Sequence, residues 1–379
     1  MHSDLIWMQT ALKLAQGVLY LTSPNPRVGC VIVHNNQIVG QGATQRAGNA
    51  HAEVLALQQA TQRGADLSQC TVYVTLEPCS HFGRTPPCVN ALLEVKPKRI
   101  VVALLDPNPQ VAGRGVGALR AAGIQVDVGL CAADAMEQNP GFISRMLRHE
   151  PFFWLKLAAS VDGRSALKSG ESKWITGPVA REDGHKWRAR SCMVLTGIGT
   201  VEADNPLLNV RGLDTQRQPL RAVLDSQLRL KPDAAILNGA PVWVFTTVNH
   251  PEKTQALLDK NATVIQLPAD ANGQVCLREL VNYLGTQDIN EVHVEAGPRL
   301  SGALLQARVI DQLLVYMAPT LIGPGRPMVE LPQLNGLFEA QRFEFLDAAR
   351  VGADVRLLLR EPGRWARLQQ VLSTTLQAI

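Results

Sequence analysis

No block of five or more basic residues occurs anywhere in this 379-residue chain, and the formal net charge is only +4. The electrostatic footprint of a nucleic-acid binder is therefore missing, while small acidic molecules remain easy to accommodate. No apolar run reaches bilayer-spanning length, and the start, Met1-His2-Ser3-Asp4-Leu5-Ile6-Trp7, lacks the basic and apolar regions of an export signal. The seven cysteines are odd in number and scattered, which argues against a disulfide framework and for a reducing, cytoplasmic compartment. Internal repeats and low-complexity segments are lacking. The dinucleotide fingerprint G-x-G-x-x-G is lacking too: neither Thr196-Gly197-Ile198-Gly199-Thr200 nor Gly297-Pro298-Arg299-Leu300-Ser301-Gly302-Ala303 supplies it. The length leaves room for two domains, each with its own core.

What is present is more telling. His51-Ala52-Glu53 is followed by Pro78-Cys79 and then by Cys88. One imidazole and two thiolates hold Zn²⁺ in three of four tetrahedral positions and leave the fourth for water, one zinc per site. Glu53 is the free carboxylate of this pattern, a proton shuttle rather than a ligand. Taken singly, His51, Cys79 and Cys88 would be an ordinary core histidine and buried thiols; it is their order around a strand and a helix start that points to metal. Residues two apart on a regular helix point about 200° from one another. His51 and Glu53 can therefore share a site only at an irregular first turn. Eight residues, Ser80 to Pro87, separate the two cysteines, wider than the C-x-x-C of nucleic-acid and cytidine deaminases. This loop carries a cation and an imidazole, suited to a phosphorylated substrate.

The pattern of apolar residues predicts two α/β halves. The first contains a helix over 4–16, strands over 29–33 and 38–42 around a turn at 34–36, the helix after His51, a strand over 71–76, a helix after Cys88, and a strand over 99–104. A helix near 115–122 and a strand over 125–128 complete a three-layer unit. The boundary falls at Arg148-His149-Glu150-Pro151. Beyond it, strands are expected over 152–158, 193–195, 221–224, 242–245, 262–267, 291–295 and 313–317, with helices between most of them. The expected division is 1–147, 148–361 and a C-terminal tail, 362–379.

In the second half the informative points are strand ends. Glu295-Ala296-Gly297-Pro298 leads from a strand into a helix whose first N–H groups suit a phosphate or pyrophosphate. Lys156, inside an apolar strand, is either paired or turned to solvent.

With both halves in view the chain resembles the bifunctional deaminase/reductase family of riboflavin biosynthesis over about residues 5 to 360. The strings that carry the resemblance are Ser23-Pro24-Asn25-Pro26-Arg27-Val28-Gly29, the His51 motif, Glu77-Pro78-Cys79-Ser80-His81 through Pro87-Cys88, and Asp106-Pro107-Asn108-Pro109. In the second half they are Ser160-Val161-Asp162-Gly163-Arg164, Ser169 to Thr176, Gly199 to Pro206, and Val294-Glu295-Ala296-Gly297-Pro298. The resemblance implies a cytidine-deaminase-like domain followed by a dihydrofolate-reductase-like domain, zinc and NADPH as cofactors, and a homo-oligomer, dimer or tetramer. It implies hydrolysis of the 2-amino group of 2,5-diamino-6-(5-phosphoribosylamino)pyrimidin-4-one, then NADPH-dependent reduction of the product's ribosyl chain to ribityl. By position, Asn25, His81, Arg84, Asp106 and Asn108 hold the pyrimidine nucleotide, with Arg84 on its phosphate. Lys156, Ser172, Arg188, Leu208, Arg211 and Glu295 meet the reductase substrate. Ala158, Trp174, Thr200, Asp204, Ser226 and the turn Gly297, Pro298, Arg299, Leu300, Ser301, Gly302, Ala303 cradle NADPH. One departure stands out: Thr44 falls where many relatives place a histidine.

Two other functions are weighed against this one. A deaminase of free nucleosides or RNA, with the second half a mere platform, is opposed by the wide cysteine loop and the missing basic patch. A purely structural zinc needs a fourth protein ligand, for which His81 is the only candidate at hand.

Overall fold

Gly29-Cys30-Val31-Ile32-Val33 is buried throughout and forms the first strand, β1 (Gly29–His34), paired antiparallel with β2 (Gln37–Ala43). The computed structural model describes residues 2–82 and 86–377. Glycines set how closely helices approach this hairpin. A side chain at Gly29 would place its Cβ 1.9 Å from the carbonyl oxygen of Ala11, in helix α1 (His2–Gly17). One at Gly42 would lie 2.4 Å from that of Ala52, in α2 (Ala52–Gln62). Gly42 pairs with Cys30, one residue on from Gly29. Successive strand residues face opposite sides, so α1 and α2 cover opposite faces and the expected three layers are present.

The sheet continues through β3 (Thr71–Val74), β4 (Arg99–Val102) and β5 (Gln125–Val128) in the order β2-β1-β3-β4-β5. β3, β4 and β5 run parallel to one another. Connecting helices are α3 (Cys88–Val95) and α4 (Arg114–Ala121), and α5 (Ala132–Gln138) and α6 (Pro140–Arg148) close the N-terminal stretch.

Residues 150–365 form a second unit around a nine-stranded sheet. In chain order its elements are β6 (Phe152–Ser160), β7 (Arg164–Leu167), α7 (Pro178–Arg190), β8 (Met193–Gly197), α8 (Ile198–Asp204), β9 (Leu220–Leu224), β10 (Val242–Thr246) and α9 (Pro251–Leu258). There follow β11 (Ala262–Gln266), α10 (Leu277–Gly285), β12 (Glu291–Glu295), α11 (Pro298–Gln306), β13 (Gln312–Ala318), β14 (Gly325–Pro327), β15 (Glu344–Val351) and β16 (Asp354–Arg360). The order is β11-β10-β9-β8-β12-β6-β13-β16-β15, with β7 and β14 as a separate pair. All neighbours from β11 to β13 run parallel, and the antiparallel hairpin β15/β16 closes the far edge. Chain order reverses where β12 inserts between β8 and β6, the switch point at which open α/β sheets bind ligands beyond their strand C-termini. One face packs Phe153, Leu155, Leu157, Val292 and Val294 into the main core. By strand alternation the other face carries Trp154, Lys156, His293 and Glu295.

The segment set apart above as a tail is divided. Residues 362–365 go with the second unit and 366–379 with the first, through helices α12 (Pro362–Leu368) and α13 (Gln370–Gln377). Thr375 is fully buried; its hydroxyl accepts the Leu105 N–H at 3.2 Å and donates to the Val371 carbonyl at 2.8 Å. Removing residues 366–379 orphans that N–H, so the first unit is expected to lose about 1–3 kcal/mol, seen as a lower urea midpoint for its unfolding.

Candidate active sites

In the first unit His51 is the N-cap of α2, with extended backbone (φ −80, ψ 166), and Glu53 lies in the first helical turn. That break in helical geometry is what lets two residues so close in sequence serve one site. Cys79 follows β3, and Cys88 opens α3 with Pro87 as its N-cap. His51 Nδ1 is 3.6 Å from Cys79 Sγ and 3.3 Å from Cys88 Sγ, and the three donor atoms all lie within 4.8 Å of one another. Tetrahedral zinc, with its usual bond lengths, wants N···S and S···S separations of about 3.5–3.8 Å. The donor set fits. Among the described residues the cluster holds three ligands and no fourth, so His81 does not close it.

Without a metal the two thiols share the charge unequally: Cys79 is the thiolate, and its side chain, with burial and Glu53, holds the Cys88 thiol protonated, its titration pushed well up. Hydrogen bonds from the Cys88 side chain and the His51 ring, joined by the Cys88 N–H at 3.3 Å, bring the Cys79 thiol down to about 4. Glu53, only 4% exposed, is pushed up to about 7 by burial and by the charge on Cys79. A carboxyl poised there can both take and give a proton. Asp106 is buried and likewise raised to about 7, chiefly by burial, with Glu77 and Cys79 adding repulsion. Asp106 Oδ1 accepts the Asn108 N–H at 2.8 Å, and Asn108 Oδ1 accepts that of Gln110 at 3.0 Å. Asn25 and His81 are partly exposed. His81 Nδ1 is buried without a hydrogen-bond partner among the described residues. Arg84 lies outside the described residues. Thr44 is buried, its N–H on the Val28 carbonyl at 3.0 Å.

Glu77 escaped the sequence reasoning. Its buried carboxylate accepts the N–H groups of Asp106 (3.2 Å), Gly113 (2.9 Å) and Val116 (3.0 Å), tying the segment before Cys79 to the Asp106 loop and to the start of α4. Its position just before Pro78-Cys79 was the available signal. Glu77→Gln turns an acceptor-only group into one that also carries N–H donors among three donors. A loss of about 1–3 kcal/mol is expected, measured by urea unfolding of the first unit.

In the second unit the switch point gathers a charged group. Arg188, from α7, grips Glu295 with two nitrogens, Nη2 at 2.9 Å and Nε as the other contact, and donates to the Asn209 carbonyl at 3.0 Å. Lys156 sits opposite Glu295 in strand register, Nζ 3.9 Å from Oε2, so the lysine is paired rather than free in solvent. Burial raises the Glu295 carboxyl, but the Arg188 guanidinium overrides it and holds the group well below the usual carboxylate range. Burial lowers the Lys156 ammonium, with Glu295 opposing. Arg211 is exposed, with Nη1 on Asn209 Oδ1 at 2.6 Å and its N–H on His185 Nδ1 at 3.3 Å. Leu208 is 4% exposed with φ +51, its side chain packed with Val194, Ile198 and Val201; only its backbone is left to meet a ligand.

The nucleotide-side residues fall into two kinds. Trp174 is 70% exposed with the Arg181 guanidinium 4.3 Å over its ring, Asp204 is exposed, and Ser172, Ala158 and Thr200 are half-buried. Gly297 caps α11 without a side-chain hydrogen bond, and the nearest atom to a Cβ there is Thr200 Oγ1 at 3.9 Å. Helix starts leave their first N–H groups unpaired, so this open turn fits a phosphate. Arg299 is exposed and its Nε lies 3.6 Å from Glu330 Oε2. Of the other members of the turn, Leu300 lies against Gly197, Ser301 is buried, and a Cβ at Gly302 would lie 1.7 Å from the Glu330 carbonyl oxygen. Ala303 is half-buried. Ser226 is buried, its Oγ accepting the Val275 N–H at 3.0 Å. His293, also missed, lies on β12 between Glu291 and Glu295; polar residues alternating along a central strand were the signal.

Hydrolytic deamination in one unit and reduction by a nucleotide cofactor in the other is the class of protein these two arrangements define. Residues 1–104 match the cytidine and deoxycytidylate deaminase zinc-binding region, and residues 151–357 match the RibD C-terminal domain. The riboflavin biosynthesis protein RibD of Escherichia coli K12 is 46% identical, covering 94% of this chain and 99% of that protein. That of Aquifex aeolicus is 41% identical, over 86% and 90%. A RibD structure from Acinetobacter baumannii superposes with a TM-score of 0.87 at 44% identity, covering 95% of this chain and 99% of that one. The diaminohydroxyphosphoribosylaminopyrimidine deaminase/5-amino-6-(5-phosphoribosylamino)uracil reductase of Thermotoga maritima gives 0.84 at 30% identity, with the same coverage. The chain belongs to the RibD family, the bifunctional deaminase/reductases of riboflavin biosynthesis, with zinc and NADPH as cofactors.

Proposed function

We propose that the first unit hydrolyses the 2-amino group of 2,5-diamino-6-(5-phosphoribosylamino)pyrimidin-4-one and that the second reduces the resulting 5-amino-6-(5-phosphoribosylamino)uracil to its ribitylamino form. The observation that carries this is buried Glu53 beside a three-ligand metal cluster. His51, Cys79 and Cys88 hold the zinc, which when bound activates water for attack on the ring carbon. Glu53 takes one water proton and gives it to the ring nitrogen, then takes the second from the hydroxyl now on the ring carbon and gives it to the amino group, which leaves as ammonia as the carbonyl forms. Asn25, His81, Asp106 and Asn108 bind the pyrimidine nucleotide, and Arg84 its phosphate.

In the second unit Arg188, Arg211, Ser172, Glu295 and the Leu208 backbone receive the product. Lys156 orients or protonates its sugar. Ala158, Trp174, Thr200, Asp204, Ser226 and the turn at 297–303 hold NADPH, which when bound supplies the hydride. Seven cysteines, none in a disulfide, accord with a cytoplasmic setting. Among the described residues no helix is long and apolar enough to cross a membrane. The assembly is a homo-oligomer, for which the exposed side chains of Leu337, Phe338 and Phe345 offer apolar surface; light scattering gives its size.

The substrate class is tested by comparing ammonia release from the ribosyl phosphate, its dephosphorylated riboside and cytidine. Loss of a charge-assisted contact raises KM for the riboside by about 10–100-fold. Equal turnover of cytidine would instead make the protein a nucleoside deaminase.

A further inference from the structure

His293 is fully buried, and among the described residues neither ring nitrogen has a partner in full hydrogen-bond geometry. Buried polar groups are nearly always satisfied, and an exception asks for a reason. Glu295, two residues on along β12 and on the same face, places its Oε1 3.4 Å from Nε2. The next polar residue on that face, Glu291, is satisfied by Arg190 at 3.0 Å, so the strand tolerates polar side chains where each has a partner. Among the described residues the polar contact of the His293 ring is with the Glu295 carboxylate alone. Burial and the nearby Arg188 and Lys156 charges hold the ring neutral, so it carries a single N–H. A carboxylate has about four lone-pair positions. Arg188 takes two, and an imidazole N–H on Oε1 still leaves room for a substrate hydroxyl.

We propose that His293 is a positioning residue for reduction: from its place two residues back on β12, its Nε2–H draws in Oε1 and holds Glu295, fixing the carboxylate so that it accepts from a hydroxyl of the sugar substrate. This rests on the assignment of Glu295 to the reductase substrate.

The test compares His293→Leu, which keeps bulk without a donor, with His293→Gln, whose amide places an N–H near the position of Nε2. Both are made in the full-length, zinc-loaded chain, and NADPH-dependent reduction of the deaminated substrate is followed at steady state. His293→Leu is expected to raise the substrate KM by about tenfold, leave the NADPH KM unchanged, and leave ammonia release intact; His293→Gln recovers most of the loss. Leu and Gln variants that behave alike, whether both resemble the wild type or both lose substrate and NADPH binding together, overturn the proposal. Glu295→Gln is the separate control. If it leaves the substrate KM unchanged, the assignment of Glu295 itself is wrong, whatever His293 does.

Discussion

Glu53→Gln is expected to lower ammonia release by about 10²–10⁴-fold, the range that a positioned acid–base group supplies, while one zinc per chain remains bound. The amide nearly matches the carboxyl in shape, and Glu53 is not among the three ligand residues, so metal content measured by atomic absorption should not move. NADPH oxidation with pre-deaminated substrate should also be untouched, because Glu53 belongs to the first unit. A zinc that only braced the fold would predict the reverse, a harmless substitution. Loss of zinc together with activity would show that Glu53 holds the ligands in place rather than moving protons.

Arg188→Met is expected to be the most damaging change in the second unit. The side chains of Arg188 and Glu295 are 15% and 14% exposed and joined by two contacts. Removing the guanidinium leaves a buried carboxylate with the Lys156 ammonium at 3.9 Å as the cation nearby and the neutral His293 ring at 3.4 Å. Breaking a buried pair in this way costs about 3–5 kcal/mol. The urea midpoint of the second unit should fall accordingly and reduction should fail, while deamination persists in buffer. Glu295→Gln, made on top of Arg188→Met, should recover part of the stability but not the reduction. Such partial recovery would separate the cost of an unpaired charge from the loss of a substrate contact.

The ligand cluster of the first site, His51, Cys79 and Cys88, was legible in the sequence, because its chemistry rests on residue types at short spacings. Even the geometric condition on His51 and Glu53, an irregular first turn, is met by the extended backbone at the N-cap. Glu77 stayed hidden because its partners are backbone N–H groups at 106, 113 and 116, which no side-chain pattern records. In the second unit the parallel strands were readable from buried β-branched runs, but their order was not, since insertion of β12 between β8 and β6 is a property of the assembled sheet. The hairpin β15/β16 went unseen for a different reason: β15 is exposed along most of its length, so the alternation that marks a half-buried strand is missing. The C-terminal segment looked like a tail because the contact that anchors it, Thr375 to Leu105, spans 270 residues of sequence. Burial could not be read from the strings themselves: Leu208 turns its side chain into a core cluster and Ser301 is fully buried, so what either offers a ligand is backbone.

The most direct test follows both reactions on one preparation: zinc-loaded protein with the diaminopyrimidinone ribosyl phosphate, with and without NADPH, recording ammonia and the absorbance of the reduced nicotinamide. Two successive reactions on one chain predict ammonia in both tubes, and NADPH consumption that follows it where the cofactor was supplied. Ammonia without any NADPH loss would contradict the account, leaving a deaminase whose second domain has another task.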